Sequence, residues 1–153
     1  MEKIISSGFS ILNTDGQILL GKIHNNHPVR KWTIFKGGQE KNESLVDTAI
    51  RELKEETDID LSVNHDLNRY MSSSPIFEYH LKHKIVYVYL LEDVNNTLRN
   101  YEFKCNSFWE HNGIKNPEII EYKWFEINDA MDFILPSQKG LINFLIKNVV
   151  KKD

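Results

Sequence analysis

Glu52, Glu55 and Glu56 are spaced to project from one stripe of an α-helix, just after a glycine turn at Gly37 and Gly38. At ~100° per residue the three carboxylates fall within roughly 100° of arc. Like charges at that spacing weaken an isolated helix by roughly a few tenths of a kcal/mol per pair. The pattern therefore asks for a compensating positive charge, and a hard divalent cation with oxygen ligands meets that need. The competing account of the same stripe is a solvated helix face.

The elements that must position these groups can be read from local pattern. Residues 7–13 and 18–23 are apolar and β-prone, and Thr14-Asp15-Gly16-Gln17 between them is a turn signal, so the two read as a hairpin. A polar loop over 24–30 leads to a short strand at 32–35, then the glycine turn, then a helix over 43–57. On that helix Leu45, Val46, Ala49, Ile50 and Leu53 cover an apolar arc of roughly 140°. Glu56 is nearest this arc, so it is expected to be partly buried, with Glu52 and Glu55 more exposed. Residues 59–72 are expected to hold a strand. Residues 84–91 are near-continuously apolar, as in a central strand covered on both faces. The spacing predicts loop over 94–113, a strand over 118–125, and helices over 127–133 and 137–151, the last capped by Ser137. Interspersed strands and helices without strict alternation imply an α+β fold, a mixed sheet flanked by helices.

At 153 residues the chain fits one domain, 1–153, with enough length for a real core. A net charge of −3 provides no general attraction to DNA or an anionic membrane. No apolar run approaches a membrane span. The lone Cys105 has no internal disulfide partner, and a reducing cytoplasm is the simpler location. It is not expected to be a nucleophile, and the histidines lack metal-ligand spacing.

The run Gly37-x5-Glu43-x7-Arg51-Glu52-Leu53-x-Glu55-Glu56-x-Asp58-Ile59 closely resembles the Nudix box of the MutT-type hydrolases. Asp58 stands where the box has glycine, and Asn42 where many members have glycine. Both residues visit the left-handed region more readily than others, so the turns are expected to survive at some cost. Trp32 and Lys36-Gly37 resemble the residues that often precede the box, with Phe35 in place of a proline. The resemblance implies an α/β/α sandwich and a pyrophosphohydrolase dependent on magnesium or manganese. Carried over residue by residue, it makes Gly37, Glu52, Glu55 and Glu56 metal ligands. It pairs Arg51 with Glu43 in a brace at the catalytic site, and sets Lys36 and Trp32 against the substrate. Glu118, ahead of Tyr122-x-Trp124, is the first choice of general base and Glu121 the second; on a strand the two point to opposite faces. A box glutamate is a further alternative. Tyr70, Tyr79 and Tyr87 are candidates to stack a base.

The box implies the reaction and leaves the substrate open. The approach from Trp32 to Gly37 and the 84–91 strand look most like dinucleoside-polyphosphate hydrolases, whereas Pro75 points to ADP-ribose-type members. Nucleoside triphosphates, other nucleotide sugars and RNA 5′ ends are further substrates of the wider family, and some of its domains only sense a nucleotide. Such domains tend to lose box carboxylates, which are intact here.

Overall fold

The computed structural model describes residues 2–150. Strand β1 (Ile4–Asn13) lies at the centre of the sheet and folds back through the Asp15-Gly16 turn onto β2 (Gln17–Lys22). A short β3 (Trp32–Thr33) pairs with β2, and β4 (Phe35–Gly38) pairs antiparallel with β1. The expected single strand at 32–35 is therefore broken at Ile34, whose N–H goes to Gln138 Oε1 at 3.1 Å. On the other side of β1, β6 (Lys84–Asp93) runs parallel to it along its whole length, and β5 (Phe77–His80) forms the edge.

Helix α1 (Leu45–Thr57) starts where Ser44 Oγ accepts the Asp47 N–H at 3.1 Å, and ends at Asp58 with φ 71°. Asn42 also has positive φ, 66°. Both departures from glycine thus adopt the left-handed conformation their short polar side chains tolerate. Ala49 and Leu53 of α1 pack on Phe9 and Ile11, joined by Tyr89 and Leu91 of β6. The opposite face of the same strands, with Leu12, Val86, Val88 and Leu90, is covered by α4 (Lys139–Asn148) and α3 (Ile127–Ala130). Two covers explain why β6 reads as continuously apolar. The result is the expected mixed sheet between helices.

Several boundaries differ from expectation. Residues 59–72 form no strand beyond an isolated bridge, Met71 to Leu91; they fold into α2 (His65–Asn68), where Asn64 accepts the Leu67 N–H at 3.2 Å. A strand that the 94–113 loop did not foresee, β7 (Phe108–His111), pairs with β8 (Ile114–Pro117) in a separate ribbon. Asn112 and Gly113, with φ 53° and 76°, form its turn, and Asn-Gly is the dipeptide such two-residue turns favour. Strand β9 (Glu121–Glu126) pairs with β2 and begins three residues later than expected, which leaves Glu118 in the preceding bend. Helix α3 is shorter than 127–133. Pro136–Gln138 is a 3₁₀ turn, so Ser137 does not cap α4, and the expected end at residue 151 lies outside the described residues.

Candidate active site

Strand β4, helix α1 and the bend before β9 enclose a cleft of about 400 Å³, lined by Lys36, Gly37, Gly38, Glu52, Glu55, Glu56 and Glu118 among others. Its geometry begins with a close approach. A Cβ on Gly37 would sit 2.0 Å from the Glu52 carboxylate carbon, so the missing side chain lets that carboxylate lie against β4. That contact buries Glu52 to 9% exposure, against the expectation that it would be among the more exposed of the three. Glu56 is 5% exposed and Glu55 half-buried.

Arg51 organises the outer side of the cleft. Its Nε donates to Glu43 Oε2 at 2.8 Å, and Nη2 donates to Glu43 Oε1 at 3.0 Å and to the Gly38 carbonyl at 2.8 Å. Nη1 reaches Glu52 Oε1 at 3.0 Å and both oxygens of Glu55 at 3.2 Å. The guanidinium thus ties the turn to the helix and supplies part of the positive charge that the crowded carboxylates need. Its hydrogen bond, with smaller help from the Glu40 N–H and the Thr48 hydroxyl, holds the Glu43 carboxyl down at about 2.

Glu56 lies beyond this clamp. Its Oε1 accepts the Lys36 backbone N–H at 2.9 Å, and burial, then the neighbouring Glu52 charge, push its carboxyl well above the usual range. Burial and the Glu55 charge raise Glu52 to about 6. Among the described residues no three Asp, Glu, His or Cys side chains converge into a ready-made cation cage. Magnesium does not require one, because it joins one or two carboxylates to waters and substrate phosphates.

The far wall comes from a distant segment that wraps the end of α1. Lys104 N–H donates to Thr57 O at 3.1 Å, Asn106 N–H to Glu55 O at 2.6 Å, and Asn106 Nδ2 to Asp58 Oδ1 at 3.0 Å. Ser107 follows, and its hydroxyl donates to Glu118 Oε2 at 3.2 Å while its carbonyl accepts the Glu118 N–H at 3.0 Å. Glu118 therefore faces the cleft. Glu121 is exposed on β9 opposite Lys22 and does not line it.

Trp32 corrects the expectation of a substrate contact. It is 8% exposed and packs edge-on against Phe125 with centroids 5.0 Å apart, because the apolar indole gains more from the core than from the cleft rim. The candidate stacking tyrosines are elsewhere too: Tyr79 is buried and bonded to Gln138, and Tyr87 and Pro75 border a groove beside Phe144. Trp109 and His24 line the cleft instead. Their position depends on the β7–β8 ribbon and the loop after β2, and the Asn112-Gly113 dipeptide, passed over in the loop expected at 94–113, is a local signal that could have found the ribbon.

The layered sheet and the carboxylate cleft behind a glycine turn define a class of protein that comparison with known proteins names. The NUDIX domain model matches residues 3–145, and the chain belongs to that family. It is an enzyme that hydrolyses pyrophosphate bonds, in a family that generally uses divalent metal ions. An uncharacterized Nudix hydrolase, YvcI of Bacillus subtilis, is 25% identical over 142 residues, 90% of this chain and 76% of its own length. Among solved structures, the C. elegans Ap4A hydrolase in a binary complex is similar with a TM-score of 0.63 and 22% identity, covering 94% of this chain and 96% of its own. A Francisella tularensis bifunctional NMN adenylyltransferase/ADP ribose pyrophosphatase, complexed with AMP and a manganese ion, has a TM-score of 0.66 and 20% identity over 95% of this chain and 41% of its own.

Proposed function

We propose that this enzyme cleaves a pyrophosphate linkage in a nucleoside-diphosphate-linked substrate, with magnesium or manganese held by Glu52, Glu55, Glu56 and the Gly37 carbonyl. A dinucleoside polyphosphate is the preferred substrate in this reading. The observation that carries it is Glu56, a carboxylate 5% exposed, in a cleft with Glu52 and Glu118, and outside the reach of the Arg51 clamp. A buried carboxylate so situated is costly until a cation compensates it, which is why the donor set fits a metal.

A bound divalent ion would neutralise phosphate charge, activate water and stabilise the leaving oxygen. Lys36 meets a substrate phosphate as a point charge. Glu118, oriented by Ser107, accepts the proton of the attacking water. Arg51 and Glu43 hold the 37–43 turn against α1 so that Gly37 and Glu52 keep their contact.

The substrate preference is supported by the approach from Trp32 to Gly37 and by the likeness to an Ap4A hydrolase fold. ADP-ribose is the second reading, supported by a likeness of similar size to the Francisella protein. Residues 1–153 act as one domain in this reading, and a cytoplasmic location is in keeping with the free thiol of Cys105. No helix among the described residues is long and apolar enough to cross a membrane. The test is turnover, with magnesium, of dinucleoside polyphosphates, ADP-ribose, other nucleotide sugars, nucleoside triphosphates and RNA bearing a 5′ triphosphate. Dinucleoside polyphosphates are expected to give the highest kcat/KM. Cleavage of none of them would favour a nucleotide sensor.

A further inference from the structure

Beyond Trp109 the cleft opens into a second hollow of about 650 Å³, and Trp109 and His24 line both spaces. One wall is the β7–β8 ribbon. Its register pairs Trp109 with Asn116 and His111 with Ile114, and the two-residue alternation of strands sets these four on one face. All four line the hollow, while Phe108, Glu110 and Lys115 belong to the other face. The opposite wall is the loop after β2, with Asn25 and Asn26. Asn25 is tied to the end of its loop by its bond to Arg30 O at 2.9 Å and by the bond from Lys31 Nζ to its own carbonyl at 2.8 Å.

The ribbon leaves large apolar groups on the side where a ligand would pass. Trp109 is 41% exposed and Ile114 64% exposed, and the nearest ring to Trp109 is His111 at 6.3 Å, tilted rather than stacked. An indole in that setting has an open face next to a cleft that carries four carboxylates and one lysine. In the proposed reading the metal and Lys36 answer the phosphates, whereas the exposed Trp109 ring offers an apolar surface that suits a flat, uncharged part of the substrate. The geometry points to the hollow as a nucleobase subsite, in which Trp109 stacks on the base while the attached phosphates lie in the carboxylate cleft. This subsite rests on the proposed nucleotide hydrolysis and would make Trp109 the residue that selects nucleotides over simple pyrophosphates.

A pair of non-hydrolysable ligands isolates the nucleoside, and the Trp109 variants isolate stacking on its base. Binding of α,β-methylene ADP and of methylenediphosphonate, each with magnesium, is measured by calorimetry. The native protein is expected to favour the nucleotide by about tenfold or more, as stacking on an aromatic side chain supplies. Trp109→Ala is expected to remove most of that preference and leave methylenediphosphonate affinity in place, and Trp109→Phe to retain much of it. Equal affinity of the native protein for the two ligands would overturn the subsite. So would a Trp109→Ala protein that keeps its preference, or one that weakens both ligands by the same factor, which marks a structural role. Because no turnover is read, the subsite and the hydrolysis can fail separately.

Discussion

The two walls of the cleft are made in opposite ways. On the α1 wall, residues 37–58, partners are close in the chain: Arg51 binds Glu43 eight residues away and Glu55 four residues away, and Ser44 caps Asp47. On the other wall, Tyr101 reaches Asp58 across 43 residues and Asn106 reaches it across 48. The first wall is a local device set on a helix, and its residue spacing is the geometry itself. The second exists only after the chain has returned to the end of that helix. Carboxylates are therefore concentrated where spacing is rigid, and the parts proposed to select and orient a substrate lie where topology decides.

The largest effect that would test this division is Glu56→Gln. Turnover is expected to fall by orders of magnitude, because the most buried carboxylate of the local wall is neutralised. The fold is expected to survive, with a melting temperature unchanged or higher, since a buried charge is removed. Undiminished magnesium-dependent kcat would move the chemistry off α1 altogether.

Next in size is the contact between β4 and α1. Gly37→Ala pushes the Glu52 carboxylate, the end of a flexible side chain, off β4 and is expected to lower activity strongly, at a cost of about 1 kcal/mol in urea unfolding. The adjacent Gly38 meets nothing within 4 Å, so Gly38→Ala is expected to stay within about 0.5 kcal/mol. Equal effects at the two glycines would mean that Gly37 is only a turn residue.

The pH dependence follows from the raised carboxyls. Glu52 holds its proton up to about 6, above its ordinary 4.5, and Glu56 is raised as well. The folded state therefore binds protons that the unfolded state has released, and without metal the contribution of these groups to stability falls as pH rises from 4.5 through 6. Glu43 acts in the opposite sense: its stabilising pair is present above 4.5 and is lost as pH falls toward 2. Apparent magnesium affinity is expected to rise as pH climbs through about 6, because ligation needs the ionised carboxylates. Melting in EDTA and magnesium titration across this range check both signs. A flat magnesium affinity would separate Glu52 and Glu56 from the metal.

The smallest effect lies where the walls meet. Asp58→Gly relieves a left-handed non-glycine residue, a gain of about 1 kcal/mol, but removes the acceptor of Asn106, a loss of about the same size. A net change near zero is expected in urea unfolding. A clear gain would show that the bond from the distant segment contributes little.

Much of the fold was legible because its signals are local. The β1–β2 turn, the apolar 84–91 run and the α1 stripe each follow from periodicity or turn chemistry. Residues 59–72 misled because their apolar groups suit a turn packed beneath α1 as well as a strand, and Leu61 and Leu67 both joined that core. The Asn112-Gly113 dipeptide suits a hairpin turn, yet the polar residues before it carried the expected loop across it. Trp32 shows the limit from the other side, since motif position drew it toward the substrate and packing took it into the core.

What the sequence by itself determined is the set of chemical groups and their order on one helix: Arg51, Glu52, Glu55 and Glu56 behind Gly37 and Glu43. A helix converts such spacing directly into direction, with little help from the rest of the chain. The tertiary structure alone decided how deeply Glu52 is buried, which of Glu118 and Glu121 enters the cleft, and that Trp109 borders it. Each of these depends on contacts between segments distant in the chain, and those are set by which surfaces the folded sheet brings together.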